Sequence, residues 1–360
     1  MRIVAKIGTA SITTDAGLID RRAIERLVDE VASLRSAGDE VLVVSSGAVA
    51  AGVAAIGMDQ RPADMRTLQA VSAVGQSRLM EAYDVELARH GLVGAQLLVD
   101  PFDFVERSQY LHLRATMHRL LELGAVPVVN ENDAIANDEL RYGDNDRIAA
   151  LVANSVGADV LVLLTDMDGV FTADPRRDSS ATLIPFVHSD DPLLSVTADA
   201  GGSGRGSGGM ASKLTAARMA SWSGIRSVIA RAARPGVLAG SASNELVGTT
   251  FEAHERTLSA RKLWIAFAAE VAGAVVVDAG ARRALIERPN SLLPAGVVEV
   301  DGDFEAGTVV DVVGPDGDVF ARGRVSLAAR VVREVKGRRT GELAAAITEV
   351  IHRDDLVVIA

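Results

Sequence analysis

VPVVNENDAIANDELRYGDND, residues 126 to 146, is the stretch on which the reading of this chain turns. Its first four residues are apolar, and the run ends in a loop crowded with Asn130, Asn132, Asp133, Asp144, Asn145 and Asp146. Short amide and carboxylate side chains make turns and cap helices. The same groups suit an α-amino group or a metal-bound phosphate. Here two clusters, NEND and GDND, frame one loop directly after an apolar strand, which favours a site over two unrelated turns.

Outward from that stretch the same unit recurs. Residues 3 to 5 form a short apolar run that leads into the small-residue loop Lys6-Ile-Gly8-Thr9-Ala10-Ser11, and residues 41 to 44 lead into Ser45-Ser46-Gly47-Ala48. The backbone N–H groups of the second loop suit an anion if a helix starts near Ala48. Residues 160 to 164 lead into Thr165-Asp166-Met167-Asp168-Gly169. Between these runs Ile24, Leu27, Val28, Val31 and Leu34 fall at helical spacing, and Gly38 stops the pattern. Further helices are expected over residues 65 to 90, 107 to 123 and 147 to 156. Apolar strands alternating with helices predict an α/β fold, a parallel sheet covered on both faces as an α/β/α sandwich. The polar clusters each follow a strand, so in such a sheet they gather along one edge.

From residue 174 to 209 the periodicity fades, which reads as a long surface excursion. It closes in GGSGRGSGGMASK, residues 201 to 213, ahead of a helix expected over 214 to 223. Gly204, Gly206 and Gly209 match G-x-G-x-x-G, but no apolar strand precedes them, so the dinucleotide reading fails. Nor is Lys213 a P-loop lysine, being preceded by Ser212 and followed by leucine. Glycines that lead into a helix N-terminus carrying a lysine make a polyphosphate cradle, with a flexible linker as the alternative. After a strand at 227 to 230, residues 239 to 255 read as a second polar excursion.

At about residue 272 the pattern changes. GAVVVDAG, VVEVDGDF, GTVVDVVGPDGDVFARGRV and ARVVREV read as short β-rich runs joined by Asp-Gly and Pro-Asp-Gly turns, with one helix at 280 to 287, the pattern of a small barrel or sandwich. Two domains follow, residues 1–260 and 272–352. The whole chain has 37 Lys and Arg against 48 Asp and Glu, net −11, which argues against a surface that grips nucleic acid or anionic membrane throughout. With no cysteine and no ligand spacing among six histidines, no side-chain metal site is assigned. A cytoplasmic protein is expected, with neither a signal sequence nor an apolar run of membrane length. Lysine occurs only at Lys6, Lys213, Lys262 and Lys336, so in an arginine-rich chain the compact charge of Lys6 and Lys213 at loop positions draws notice.

KIGT from Lys6, VVSSGAVAAG from Val43, AVGQSRLM from Ala73, PVVNENDAI from Pro127, GDND from Gly143, LLTDMDGVFTADPR from Leu163 and GSGGMASKL from Gly206 occur in this order over essentially the full length. Together they resemble the amino-acid kinase family, in particular its branch that phosphorylates L-glutamate. SLLPAGV from Ser291 and HRDDLV from His352 resemble a PUA domain, an RNA-binding fold in other proteins. The resemblance implies that ATP, with Mg²⁺, phosphorylates the γ-carboxylate of L-glutamate to γ-glutamyl phosphate, the first step of proline biosynthesis. It implies that Ser46, Asp133 and Asn145 hold glutamate and that Asp146 orients the catalytic Lys6 and Lys213. Lys6, Thr165, Asp166, Ser207, Gly208, Gly209, Met210, Ala211, Ser212 and Lys213 would bind ATP. Feedback inhibition by proline and a homo-oligomer are expected. Ala10 stands where the family usually has serine, and Ser207 and Ser212 where threonines are common. The alternatives are another acid kinase of this fold, acting on acetylglutamate, aspartate or carbamate, or an RNA-binding regulatory protein that uses the tail. Residues 272 to 360 hold 11 Lys and Arg against 14 Asp and Glu, which is poor for phosphate-driven binding despite the cluster Arg330, Arg333, Lys336, Arg338 and Arg339.

Overall fold

Alternation along the first strand sorts the first of two units. In β1 (Arg2–Ile7), Ile3, Ala5 and Ile7 join one hydrophobic cluster, so Val4 and Lys6 point to the opposite face of the sheet. The computed structural model describes residues 1–14, 17–135, 145–195, 209–255, 257–339, 341 and 348–359. The chain divides into the units Met1–Thr257 and Leu258–Ala360.

In the first unit β1 is followed by β2 (Glu40–Ser45), β3 (Gly94–Val99), β4 (Val126–Glu131), β5 (Val160–Thr165), β6 (Phe186–Val187), β7 (Arg226–Arg231) and β8 (Gly248–Phe251), and the sheet order is β3-β4-β2-β1-β5-β7-β8-β6. The helices are α1 (Thr9–Ile12), α2 (Arg21–Ser36), α3 (Ala48–Ile56), α4 (Met65–Arg89), α5 (Arg107–Glu122), α6 (Asn145–Val156), α7 (Met210–Ser221) and α8 (Val237–Ala242). One face of the sheet is sealed by α2, α4 and α8, where Ile24, Leu27 and Val31 of α2 and Leu79 and Tyr83 of α4 meet the odd-numbered residues of β1. Each such side chain contributes about 1.5–3 kcal/mol on burial. On the other face α5, α6 and α7 lie side by side, and α6 is buried nearly all round, as a helix packed between sheet and helices must be. The result is the α/β/α sandwich expected from the sequence.

Two close approaches fix α3. A Cβ at Gly75 of α4 would stand 1.8 Å from the Ala48 carbonyl oxygen, and one at Gly52 would stand 1.9 Å from that of Val71. Only glycine lets these backbones touch, and their contact pins the first turn of α3 against α4.

The sheet departs from the expectation in one respect. It is not wholly parallel, because β8 runs antiparallel to β7. The later part of α8 and all of β8 lie in the stretch read as a polar excursion, and β6 lies in the earlier one. The Thr249 hydroxyl donates to the Ile184 carbonyl at 2.6 Å and accepts from Val170 N–H at 2.8 Å, so its polarity is satisfied inside the fold. Similarly α7 starts at Met210, four positions before the expected residue 214, which places Ser212 and Lys213 within its first turn.

The second unit contains α9 (Ala260–Leu263), a π-helical turn (Trp264–Ala268), β9 (Val271–Val277), α10 (Ala279–Glu287), β10 (Val297–Asp301), β11 (Val309–Val313), β12 (Val319–Val325), α11 (Ala329–Val335) and β13 (Ile351–Val358). Its sheet, β10-β9-β11-β12-β13, is antiparallel except between β9 and β11, and it encloses its own core around Val275, Val310, Phe304, Phe320 and Ile351. ARVVREV, expected as a β-run, is the helix α11. Ala329, Val332 and Val335 recur every third residue and bury one helical face, which outweighs the strand preference of valine.

Candidate active site

Lys6, turned away from α2, meets the first turns of α6 and α7. Its ammonium lies 2.6 Å from Asp146 Oδ1, and Lys213 Nζ donates to Asp146 Oδ2 at 3.1 Å. The Ser212 hydroxyl donates to the same Oδ2 at 3.0 Å. All three charged residues are buried: Lys6 is 4% exposed, Asp146 1% and Lys213 5%. Burial pushes the Asp146 carboxyl up, but the Lys6 and Lys213 ammonium groups outweigh it and hold the value at about 2. Asp146 is therefore a fixed anion that holds two cations, and both its oxygens are engaged. Its place in the first turn of α6 suits the helix dipole, whereas Lys213 in the first turn of α7 opposes it. A lysine held against the dipole and out of water is poorly explained by stability alone. Gly8 lies beside the cluster, where a Cβ would be in ordinary contact with Lys6 Nζ at 3.5 Å.

Asn145, the residue before Asp146, turns toward β4. Its Nδ2 donates to Ser46 Oγ at 3.2 Å and to Asn130 Oδ1 at 3.0 Å, and its Oδ1 accepts from Glu131 N–H at 3.1 Å. Ser46 and Asn145 are thus brought together in the sequence neighbourhood of the lysine cluster. Asp133 follows on the β4 loop, where its Oδ2 accepts from the Ser72 hydroxyl at 3.0 Å. Burial raises the Asp133 carboxyl to about 6, against the lowering effects of Ser72 and Arg61. Ser45 points elsewhere and pairs with the Tyr83 hydroxyl at 2.9 Å.

The Thr165 hydroxyl donates to Asp166 Oδ1 at 3.1 Å at the end of β5. Both residues line a cavity of about 210 Å³ together with Ser11, Arg26, Glu30 and Arg231. Ile7 and Leu164 also line it, so it opens on the α2 face of the sheet. Gly209 caps α7, with Met210 and Ala211 in its first turn. Ser207, Gly208 and Asp144 lie outside the described residues. Among the described residues no three or more His, Asp or Glu side chains gather as for a metal ion.

Sequence reasoning overlooked Ser72 and Gln76 on α4. Gln76 Oε1 accepts from Asn130 Nδ2 at 2.8 Å, and Ser72 holds Asp133. The available signal was Ser72, Gly75 and Gln76 at i, i+3 and i+4, a small and polar face on a helix whose other buried positions are mostly apolar.

The profile described as the amino acid kinase family matches residues 1–231, and that of the PUA domain matches residues 273–347. The chain belongs to the amino acid kinase family. Within it, a glutamate 5-kinase of Moorella thermoacetica is 42% identical over 99% of this chain and 96% of its own length. A glutamate 5-kinase of Myxococcus xanthus is 45% identical over the same shares. The isopentenyl phosphate kinase of T. acidophilum, solved as a product complex, superposes with a TM-score of 0.50 at 18% identity, covering 70% of this chain and 100% of that one, a likeness of fold.

Proposed function

We propose that this chain transfers the γ-phosphoryl group of ATP to the γ-carboxylate of L-glutamate, giving γ-glutamyl phosphate and ADP as the first step of proline biosynthesis in the cytoplasm. The observation that carries this reading is the buried Lys6–Asp146–Lys213 cluster, one residue along from the Asn145–Ser46 pair. The near relatives named glutamate 5-kinase support the choice of substrate.

A glutamate side chain has a pKa of about 4.3, so the nucleophile is ionised at neutral pH and needs no general base. Asp146, held at about 2 by its lysines, is suited to orientation and not to proton transfer. A γ-carboxylate oxygen attacks the γ-phosphorus of ATP. The new O–P bond forms as the bond to the β,γ-bridging oxygen breaks, and that electron pair leaves with ADP. The barrier is repulsion between two anions, and the Lys6 and Lys213 ammonium groups offset it as charge moves toward the leaving oxygen. Magnesium arrives on the ATP phosphates, as part of that substrate. Thr165 and Asp166, with Ser207 to Lys213, hold the nucleotide. Asp133 as the carboxylate pairs with the substrate α-ammonium, and Ser46 and Asn145 hold its carboxylate end. Proline has an α-carboxylate and a charged, though secondary, ring ammonium but no γ-carboxylate, so it fits this site as an inhibitor that cannot be phosphorylated. A homo-oligomer belongs to the same reading.

The test uses L-glutamate whose γ-carboxylate carries heavy oxygen, with MgATP and hydroxylamine. Hydroxylamine attacks the acyl carbon and expels phosphate with the bridging oxygen, so the released phosphate should carry one heavy oxygen atom. Phosphate without the label would refute attack by the carboxylate.

A further inference from the structure

One backbone N–H fixes the direction of every side-chain amide around Asn145. Glu131 N–H can only donate, and it points at Asn130 Oδ1 at 2.9 Å and at Asn145 Oδ1 at 3.1 Å. Both side chains must therefore present oxygen to it. Asn145 Nδ2 is then the donor toward Asn130 Oδ1 and Ser46 Oγ. Asn130 Nδ2 is left to donate in its turn, and Gln76 Oε1 is what it meets, at 2.8 Å. Reversing the Gln76 amide would set two NH₂ groups face to face. The orientation leaves Gln76 Nε2 buried with no acceptor among the described residues, an unfavourable arrangement that the direction of the chain imposes. At the far end Ser46 Oγ accepts, so its own hydrogen is left to donate.

Gln76 shares its face of α4 with the other supports of this region. Ser72, one turn earlier, donates to Asp133, and Gly75 admits the Ala48 carbonyl at the start of α3, two residues after Ser46. A single helix face thus backs Ser46, Asp133 and Asn145 together. Asn130, Asn145 and Gln76 are all buried, so water does not scramble the pattern.

We propose that Gln76 and Asn130 are positioning residues for the acceptor amino acid: they fix the direction of the hydrogen bonds through Asn145 so that the Ser46 hydroxyl is presented as a donor to a substrate carboxylate. The inference rests on Ser46 and Asn145 being glutamate-binding residues, as proposed above. Without an acceptor at position 76, Asn130 Nδ2 is stranded in a buried site. The relief is rotation of Asn130, which removes the acceptor that holds Asn145 and leaves Ser46 free to turn its hydrogen inward.

The test is a double-mutant cycle in the full chain. Gln76→Met keeps the volume and the helix while removing the acceptor, and Gln76→Ala is the second variant. Either should raise the glutamate KM by about tenfold or more, the scale of one stranded buried donor, with the ATP KM and kcat changing much less. In a Ser46→Ala background the same substitution should add little, because both act on one hydrogen bond. A folded Gln76 variant with the parental glutamate KM overturns the positioning role alone. So does an effect that multiplies fully with that of Ser46→Ala, and so does failure of both Gln76 variants to give a cooperative melt. Parental glutamate KM in Ser46→Ala and Asn145→Ala would instead overturn the site assignment, and the positioning role with it.

Discussion

At the scale of single residues, the two buried lysines differ from surface charges in what they are held against. Lys213 opposes the dipole of its own helix and is anchored by Asp146, a placement that suits the role proposed for it against a developing negative charge. Lys213→Ala should lower kcat by roughly a hundredfold or more, with a smaller change in glutamate KM. Steady-state kinetics decides this: an intact kcat with only a raised ATP KM would make Lys213 a binding residue. Asp133 gives a pH dependence. Its carboxyl lies near 6, raised by burial from 3.8, and only the ionised form pairs with an ammonium. The kcat/KM for glutamate should therefore fall as pH drops through about 6, and that step should vanish in Asp133→Asn. The sign for stability is opposite. A folded-state pKa above the unfolded one contributes stability below the unfolded value that is lost as pH rises through the folded value. Asp133→Asn, which keeps an oxygen for Ser72, should thus melt higher than the parent above neutral pH while binding glutamate poorly. The lysines were legible in the sequence because lysine is rare here and both sit beside loops. Gln76 was not, since a glutamine inside a helix reads as part of a solvated face until its neighbours are known.

Elements with a clear apolar period were the legible ones. The strands β1, β2, β4 and β5 are short apolar runs with polar loops after them, and α2 shows its buried face directly. By contrast β8 hides behind Thr249 and Thr250, the first with a hydroxyl satisfied only in the fold, and the start of α7 hides behind Met-Ala-Ser-Lys, which has no period of its own. The contact of α3 with α4 is invisible in sequence, although it places the Ser46 loop. Gly75→Ala tests it. The added methyl would meet the Ala48 carbonyl oxygen at 1.8 Å and the Gly52 nitrogen at 2.4 Å, both backbone atoms, so one helix has to shift. Denaturant melts should show a loss of about 1–3 kcal/mol or more, and the glutamate KM should rise more than the ATP KM. An unaffected glutamate KM would mean that the loop tolerates movement of α3.

For the whole molecule, the division into a sandwich and a β-rich unit was visible as a change of period and turn chemistry, since each part closes a core of its own. Every residue assigned a role lies in the first unit. The tail carries a PUA profile but more acid than base, so its fold and its charge point in different directions for RNA. What no single element shows is the proposed acceptor site, which draws on the β4 loop, α4 and α6 meeting at one place. A buried carboxylate at Asp133 that loses its ammonium partner keeps its desolvation cost, so a blocked amino group should be rejected by roughly ten-thousandfold. The most direct measurement is hydroxylamine-trapped product made by the full chain with MgATP, a hydroxamate from L-glutamate, N-acetyl-L-glutamate or L-aspartate and hydroxyurea from carbamate. L-Glutamate should give the product with by far the highest kcat/KM. Equal or better turnover of the acetylated substrate, or of either of the other two, would contradict phosphorylation of glutamate at this site.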